Sequence, residues 1–257
     1  MQISDHRFCI VSILRIMALM LSVVIAGCAS TRSPDTAASQ VNVSLRVARA
    51  ARASGDIAAA TPLYRKVAAD PSSDPQTLVE AGDGLLDAGL PGEAIEVYTR
   101  VRSNPAKISA LLGLARAHLA LGEAGEALQA AEQAVASAPR DARPLVDKGV
   151  ALDTLHRHTE AQVAYRAALQ LSPSSVSARN DLALSLALSD QYDQGIALLE
   201  PLARAPSAAP KTRQNLALIY GLSGDSVRAA ALSRMDLDAD QTQANQAFFT
   251  RVRNTTP

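Results

Sequence analysis

The sequence predicts an all-α solenoid of about six helix-turn-helix repeats, closed by a C-terminal capping helix. Hydrophobic residues make up 48% of the 257 residues and aromatic residues only 3%. The apolar residues are mostly Ala and Leu, which favour helices over strands. A fixed spacing of 34, 34, 34 and 33 residues separates five prolines, Pro71, Pro105, Pro139, Pro173 and Pro206. Such a period indicates one small unit, copied and stacked.

Charge and cysteine content exclude several classes of protein. Lys and Arg number 25, as do Asp and Glu, so the formal net charge at pH 7 is zero. Neither a nucleic-acid footprint nor an acidic tail is present. The two cysteines, Cys9 and Cys28, lie near the start of the chain, so the body has no disulfide framework.

Residues 1–27 are predicted to be a lipoprotein signal peptide. Arg7 and Arg15 contribute a positive charge at the start of this segment. Residues 16–26 form an apolar run of eleven residues, which is too short to span a bilayer but typical of a signal sequence. The run ends at residues 25–28, IAGC, which resemble the lipobox of bacterial lipoproteins.

Cys28 is the residue that this motif would lipidate. The resemblance implies a diacylglycerol on its thiol and an acyl chain on its amine, and this covalent lipid is the only cofactor expected. Ala29, where Asp would signal inner-membrane retention, implies the outer membrane. The alternatives are a plain secretory signal and an uncleaved anchor, but the fit of all four positions favours the lipoprotein. Residues 28–42 are expected to form the acylated Cys and a flexible tether, followed by the repeat domain at 43–257.

Each repeat contains two amphipathic helical stretches with a turn between them. The clearest unit, at residues 141–173, has one apolar stripe on its first helix and another on its second, at Leu145, Gly149 and Leu152, and at Ala161, Tyr165, Ala168 and Leu169. The pattern resembles the tetratricopeptide repeat, a 34-residue helix-turn-helix. Six units fit between residues 43 and 237, and the first is irregular because Pro62 lies inside its second helix.

Three repeated positions predict how the helices of a unit pack. Small residues mark the closest approach of the two helices, at Ala48, Gly82, Ala115, Gly149, Ala183 and Ala217. A glycine of positive φ is predicted to end the first helix, except where His156 and Asp190 replace it. The second helix has a small residue followed four positions later by a large one, as in Ala60/Tyr64, Ala94/Tyr98, Ala161/Tyr165 and Gly195/Leu199.

Residues 238–254 are predicted to form the helix that covers the last repeat. Asp238 and Gln241 have the spacing of a capping box at its start. Phe248 falls on the same helical face as Ala244, Ala247 and Val252, so we expect it to fill the end of the core. Phe249 is expected to point elsewhere, where it could contact a partner.

No catalytic motif is found, and we expect no enzyme activity. His118 is predicted to be a packing residue, and His156 and His158 flank a turn with no third metal ligand in the pattern. The chain has no GxSxG or HExxH motif. It has no phosphate-binding glycine loop either, because its glycines fall at repeat spacing. We expect no metal.

The first helix of each unit is expected to line a concave face, through positions 2, 5, 9 and 12 of the repeat. Such a groove is apolar with scattered polar groups, and suits an extended peptide or an amphipathic helix. Asn215 is added because it resembles a backbone-binding Asn of some repeat domains, although a solvated or capping Asn is the alternative. The predicted groove residues are Leu112, Arg116, Leu119, Arg143, Val146, Val150, Asp153, Asn180, Leu184, Gln214, Asn215 and Leu218.

Longer stretches resemble the TadD family, the repeat lipoproteins of the tight-adherence (Flp, type IVb) pilus system. They lie at residues 147–169, 180–203, 213–225 and 244–249 (ANQAFF), so that the resemblance covers about residues 142–252. Asp181 stands where the resemblance leads us to expect a second Asn.

The TadD resemblance implies a pilotin-like scaffold on the periplasmic face of the outer membrane. It would bind the pilus secretin or another Tad component, with no nucleic acid and no small-molecule substrate. Two alternatives stay open at this point. One is a periplasmic scaffold for envelope or secretion assembly unrelated to pili, and the other is an accessory to a peptidoglycan enzyme.

Overall fold

The computed structural model describes residues 34–102 and 106–255. The predicted signal peptide, Cys28 and Pro105 lie outside the described residues. Regular structure within the described ranges consists of α-helices, without a strand, which confirms the predicted fold class. The helices are α1 Pro34–Ala53, α2 Ile57–Ala69, α3 Pro75–Asp87, α4 Pro91–Thr99, α5 Ala106–Ala120, α6 Ala124–Ser137, α7 Ala142–Thr154, α8 His158–Leu171, α9 Val176–Ala187, α10 Tyr192–Ala203, α11 Pro210–Ser223, α12 Ser226–Ser233 and α13 Ala239–Thr255.

The helices α1 to α12 pair into six consecutive units, and α13 covers the last one. Each helix packs against the next in the chain. The first helices of neighbouring units also contact one another along the stack, whereas the second helices contact mainly their neighbours in sequence. The first helices are therefore the more closely spaced layer, and they line the inner, concave side of the solenoid. Three main apolar clusters extend the core from α1 to α13.

Helix α1 begins earlier than the predicted tether allows. Residues 34–42, assigned to the tether, are the first nine residues of this helix. Residues 38–40 are exposed, and packing begins at Val41, which is buried together with Leu45. Small Ala-rich sequence without an apolar stripe can extend a helix that is nucleated by packing further along. The boundary at residue 43 thus falls inside a helix.

The turn inside every unit has the same backbone geometry. A residue of positive φ follows the first helix in all six units, and in two of them it is not glycine: His156 (φ 58°) and Asp190 (φ 59°). The next residue donates its backbone N–H to the carbonyl five residues earlier, for example Arg157 to Leu152 at 2.9 Å. This hydrogen bond is typical of a helix ended by a left-handed residue. His156 and Asp190 therefore keep the turn, although a side chain raises the conformational energy of a residue with positive φ.

The small residues of the first helices lie where large side chains of the second helices cross them. A Cβ atom at Gly149 would lie 2.4 Å from the ring of Tyr165, and one at Gly82 would lie 2.5 Å from the ring of Tyr98. Tyr165 is only 1% exposed, so its ring has no room to move aside. Unit five instead combines Ala183 with the smaller Leu199, both fully buried.

Unit one, which contains Pro62, and unit six, whose second helix is short, still form both of their helices. Helix α2 continues through Pro62, so unit one is a complete repeat. In unit six, α12 has only 8 residues and ends at Ser233. Ser233 is buried where four of the other units place a large side chain, and its hydroxyl has no hydrogen-bond partner among the described residues.

Helix α13 caps the last unit, but through a different phenylalanine from the one predicted. The capping box is present, because Gln241 donates its backbone N–H to Asp238 at 2.8 Å and accepts in return at 3.2 Å. Phe249 is 6% exposed and packs on Gly221 of α11, whereas Phe248 is 50% exposed. The prediction for the two rings was wrong, because the gap left by Gly221 decides which one enters the core. None of the described helices is long and apolar enough to cross a membrane.

The contact between Gly149 and Tyr165 predicts the effect of added volume. We expect Gly149→Ala to lower the free energy of unfolding by about 1–3 kcal/mol, since the new methyl group overlaps a locked ring. Adding Tyr165→Leu should recover part of this loss, because unit five already combines Ala with Leu. Urea unfolding of the two single variants and the double variant measures the coupling between the sites.

Gly125→Ala is the matched control for this experiment. Gly125 is exposed in α6, and a Cβ atom there meets nothing within 4 Å. This substitution should leave stability unchanged or raise it by up to about 1 kcal/mol, because Ala favours the helix. Equal unfolding midpoints for Gly149→Ala and Gly125→Ala would contradict the packing argument.

Candidate protein-binding groove

A groove on the concave face lies between the inner helices α5, α7 and α9. Its volume is about 370 Å³, and it brings together four of the predicted residues, Leu112, Arg116, Arg143 and Val146. The other lining residues are Ala142, Asp147, Ser172, Ser175 and Ser177. Apolar side chains and small residues therefore alternate with charged ones. Such a lining suits a protein segment better than a small molecule that needs enclosure.

The two arginines of the groove are both held by carboxylates. Arg116 extends from α5 and forms an ion pair at 3.1 Å with Asp83 of the preceding unit. Arg143 forms an ion pair at 2.6 Å with Asp141, which also caps α7 by accepting the backbone N–H of Arg143 at 2.9 Å. Both guanidinium groups remain at least half exposed. Their positive charges are therefore accessible but already partly neutralised.

The groove continues to the edge of the solenoid. A second depression of about 670 Å³ shares Ala142, Arg143 and Ser172 with the first, and it reaches the turn at residues 138–141 and Leu171. Leu171 is 44% exposed. A bound segment could thus run from the inner face past the start of α7 to the outside.

Asp147 is a groove residue that the sequence analysis missed. The pKa of this carboxyl group is raised to about 6, mainly by burial and in part by nearby Asp181 and Asp141, while Arg116 and Arg143 oppose the rise. Within residues 34–102 and 106–255, Asp147 makes no hydrogen bond or ion pair. A signal was available, because Glu80, Asp147 and Asp181 hold the same position of their repeats, one residue after a predicted lining position.

Asp181 lies one repeat further along the same face. Burial raises the pKa of its carboxyl group, Asp153 raises it too, and Lys211 and a hydrogen bond from Ser177 lower it. The Ser177 hydroxyl donates to this carboxylate at 3.3 Å. The inner face thus carries two adjacent half-buried carboxylates, at Asp147 and Asp181.

Four predicted groove residues lie at the boundary between the inner face and the core. Each is partly buried, with one side packed against a core cluster. Leu119 and Val150 pack on the cluster of units three to five, and Leu184 and Leu218 on that of units five and six. They extend the apolar inner face on both sides of the groove without lining its cavity.

Asp153 joins three helices by hydrogen bonds. Its carboxylate accepts from Ser185 of α9 at 2.8 Å, from Tyr165 of α8 at 3.1 Å, and contacts His158 at 2.8 Å. Its side chain is only 14% exposed. These contacts occupy most of the lone pairs of the Asp153 carboxylate. The hydrogen bond from Ser185 links unit four to unit five.

The predicted amide residues of units five and six also bond inside the protein. Asn180 is 3% exposed, and its amide donates to Val176 at 2.8 Å and to Thr212 at 3.1 Å. Asn215 donates to the Asn180 side-chain oxygen at 3.0 Å. Gln214 donates to Asp236 at 3.2 Å. These side chains hold α9, α11 and the segment before α13 together.

His118 and His158 each pair with a carboxylate of their own unit. His118 is partly buried and contacts Glu123 at 2.7 Å, as His158 contacts Asp153. His156 is exposed, and its ring contacts that of His158 edge to face at 5.9 Å. Among the residues that the structure describes, no group of three or more His, Cys, Asp or Glu side chains could hold a metal ion.

Two family models, both described as tetratricopeptide repeat, match most of the described chain. One matches residues 45–108 and 146–210, and the other matches residues 85–145. Together they span α1 to α10, including the helices that line the groove.

One of two curated relatives and the similar solved structures are also tetratricopeptide repeat proteins. A TPR repeat-containing protein of Bacillus subtilis, YpiA, is 28% identical over 70% of this chain, and an uncharacterized protein of Sinorhizobium fredii, y4yS, is 33% identical over 37%. The chain covers 43% and 52% of their respective lengths. A TPR protein of Thermus thermophilus superposes with a TM-score of 0.59 at 24% identity, covering 69% of this chain and 98% of that one. One from Parabacteroides merdae gives 0.60 at 19%, covering 84% and 92%. Both structures support the fold.

The raised pKa of Asp147 predicts how stability changes with pH. Its pKa in the folded state lies above the ordinary value of 3.8. The contribution of this carboxyl group to folding stability is therefore complete below about pH 4 and is lost as the pH rises through 6. We therefore expect Asp147→Asn to stabilise the fold at pH 7.5 by about 1–2 kcal/mol, less than the full shift because the carboxylate keeps contact with solvent. The gain should fall towards zero at pH 4.

Urea unfolding at the two pH values measures this difference. Glu96→Gln is the control, because Glu96 is an exposed carboxylate on the outer helix α4. This control should change stability little at either pH. A wild-type chain more stable than Asp147→Asn at pH 7.5 would show that the carboxylate is favourably paired, against the geometry described above.

Proposed function

Because the chain belongs to the tetratricopeptide repeat family, we propose that it is a lipid-anchored scaffold of the bacterial outer membrane that acts in tight-adherence (Flp, type IVb) pilus assembly. Its concave groove binds a segment of the pilus secretin or of another Tad component. Bound in this way, the partner is stabilised, localised or assembled without any chemical reaction.

The groove between α5, α7 and α9 is the observation that carries the scaffold part of the proposal. It is open, extends to the edge of the solenoid and has apolar side chains next to charged ones. These properties suit an extended or helical protein segment. The rigid inner helices hold the lining in place, so that little ordering of the scaffold is needed on binding.

The pilus part of the proposal is supported by the TadD resemblance of residues 142–252. That region corresponds to α7 through most of α13, and so includes two of the three helices of the groove. The matched family models and the curated relatives carry no name from a pilus system. A periplasmic scaffold unrelated to pili is therefore the alternative, and it would use the same groove.

Membrane attachment is proposed from the motif at residues 25–28. A lipidated Cys28 would tether the solenoid to the periplasmic face of the outer membrane, and several acyl chains on one residue hold a protein far more firmly than one. The first described helix begins at Pro34, so few residues separate the anchor from the solenoid.

Deletion of the gene tests the role in pilus assembly. We expect loss of heat-resistant secretin multimers and of surface pili in the bacterium that encodes the chain, because the secretin would lack its assembly partner. Immunoblotting of membranes and electron microscopy of cells measure the two outcomes. Normal amounts of both would rule out the pilotin role.

Two tryptophan variants show whether the groove is the part that acts. Ser177→Trp fills the groove from an exposed position of α9, while Val227→Trp places the same ring on the outer helix α12, where Val227 is 76% exposed. When supplied to the deletion strain, Val227→Trp should restore secretin multimers and Ser177→Trp should not. Equal restoration by both would place partner binding elsewhere on the scaffold.

Substitution of Cys28 tests the anchor. Cys28→Ala should accumulate as an unprocessed precursor or as a soluble periplasmic protein, because it offers no thiol to acylate. Membrane fractionation and metabolic labelling with a fatty acid measure this change. Unaltered fractionation with the outer membrane would exclude acylation at Cys28, whatever the outcome of the secretin experiment.

A further inference from the structure

Some acidic residues on the inner face of the solenoid are paired with arginines of the preceding unit, and others are not. In the N-terminal half, Glu80 pairs with Arg49 and Asp87 pairs with Arg52, each across neighbouring first helices. Each of these carboxylates therefore has a guanidinium group from the preceding unit. The N-terminal part of the concave face is neutralised by the protein itself.

Asp147 and Asp181 hold the same repeat position as Glu80 but lack this pairing. The residue corresponding to Arg49 is Arg116 for Asp147, and Arg116 pairs with Asp83 instead. For Asp181 the corresponding residue is Val150, which has no charge. The two carboxylates thus remain in the groove region without a guanidinium group of their own.

The charged groups around Asp147 and Asp181 sum to a net negative charge, whereas Arg140 adds a cation at the outer depression only. Lys211, Arg116 and Arg143 provide three cations. They face at least four carboxylates, those of Asp83, Asp141, Asp147 and Asp181. Asp153 lies beside Asp181 as well, although it is hydrogen bonded to Ser185 and Tyr165. The local potential therefore favours a cation.

A half-buried carboxylate without a partner is costly when ionised, and a cation supplied from outside relieves that cost. A lysine or arginine side chain is suited to this groove in a second way. Its aliphatic stem can lie on Leu112 and Val146 while its charged end reaches the carboxylate. A purely apolar ligand would cover Asp147 and leave it unpaired.

We infer that the groove selects a partner segment with a lysine or arginine flanked by apolar residues, and that Asp147 is the residue that determines this specificity. This inference rests on the proposed groove function and names the chemistry of the partner. Asp181 adds to the attraction from the next repeat. Neutralisation of Asp147 by the partner explains why a destabilising carboxylate stands in the groove.

A library of synthetic heptapeptides, randomised around one fixed central residue, tests this specificity with the purified chain at pH 7.5. We expect peptides with a central Lys or Arg between apolar residues to be enriched at least about tenfold over those with Asp or Glu. Asp147→Asn should remove most of this preference, since an amide gives up the charge but keeps the shape. Asp147→Lys should favour central Asp or Glu instead.

Three matched measurements make each outcome decisive. Glu96→Gln, exposed on α4, should keep the preference, and thermal unfolding should show that the Asp147 variants are folded. At pH 5 the wild-type preference should weaken, because the pKa of Asp147 is raised to about 6, whereas Asp147→Asn should not change. Ser177→Trp should reduce binding of every peptide.

The outcomes separate this inference from the proposed function. Enrichment of peptides without a basic residue, enrichment of acidic peptides, or an unchanged preference in Asp147→Asn would overturn the inference while leaving the groove as a binding site. No enrichment by any chain would reject peptide binding and specificity together. Basic enrichment in a protein whose deletion leaves secretin multimers and pili normal would support the inference and reject the pilus role.

Discussion

The stacking of the solenoid is built on the close approach of the two helices within each unit. It occurs where a small residue of the first helix lies under a buried side chain of the second, as Gly149 lies under Tyr165. With the two helices so near, the same contact can repeat from unit to unit, and the first helices form the tighter, inner layer. The concave face and its groove follow from that layer.

Polar side chains determine how the inner layer is joined from one unit to the next. Ion pairs link the first helices of units one to three. The first helices of units four to six are linked by the hydrogen bond that Asp153 accepts from Ser185 and the one that Asn180 donates to Thr212. Most charged and amide groups on the inner face are therefore occupied within the solenoid. Asp147 differs because its neighbours pair with other residues, and this leaves one accessible, half-buried charge in the middle of the groove. A binding surface arises here from an incomplete pattern of pairing and not from a separate structural element.

Local sequence signals were reliable where one segment decides the outcome. The capping box of Asp238 and Gln241 was predicted correctly because both partners lie within one turn of chain. The positive φ after each first helix follows from the fixed length of the inter-helix turn, so that even His156 and Asp190 adopt it. Contacts between units were less predictable. Adjacent Phe248 and Phe249 are both apolar, and only the space above Gly221 selects the second. Likewise, the start of α1 depends on packing that begins at Val41.

The pattern of residues along the chain is enough to predict the repeat period, the helical class, the turn positions and four of the residues that meet in the groove. These features depend on periodic burial and on backbone preferences that each unit carries alone. Which inward side chains remain available to a partner depends on how the folded units stack. Asp153, Asn180 and Asn215 are used as links between helices, while Asp147 is left unpaired, because pairing depends on where neighbouring units place their charges. The repeat period thus sets the register of the inner face, and the stacking of the units sets its chemistry.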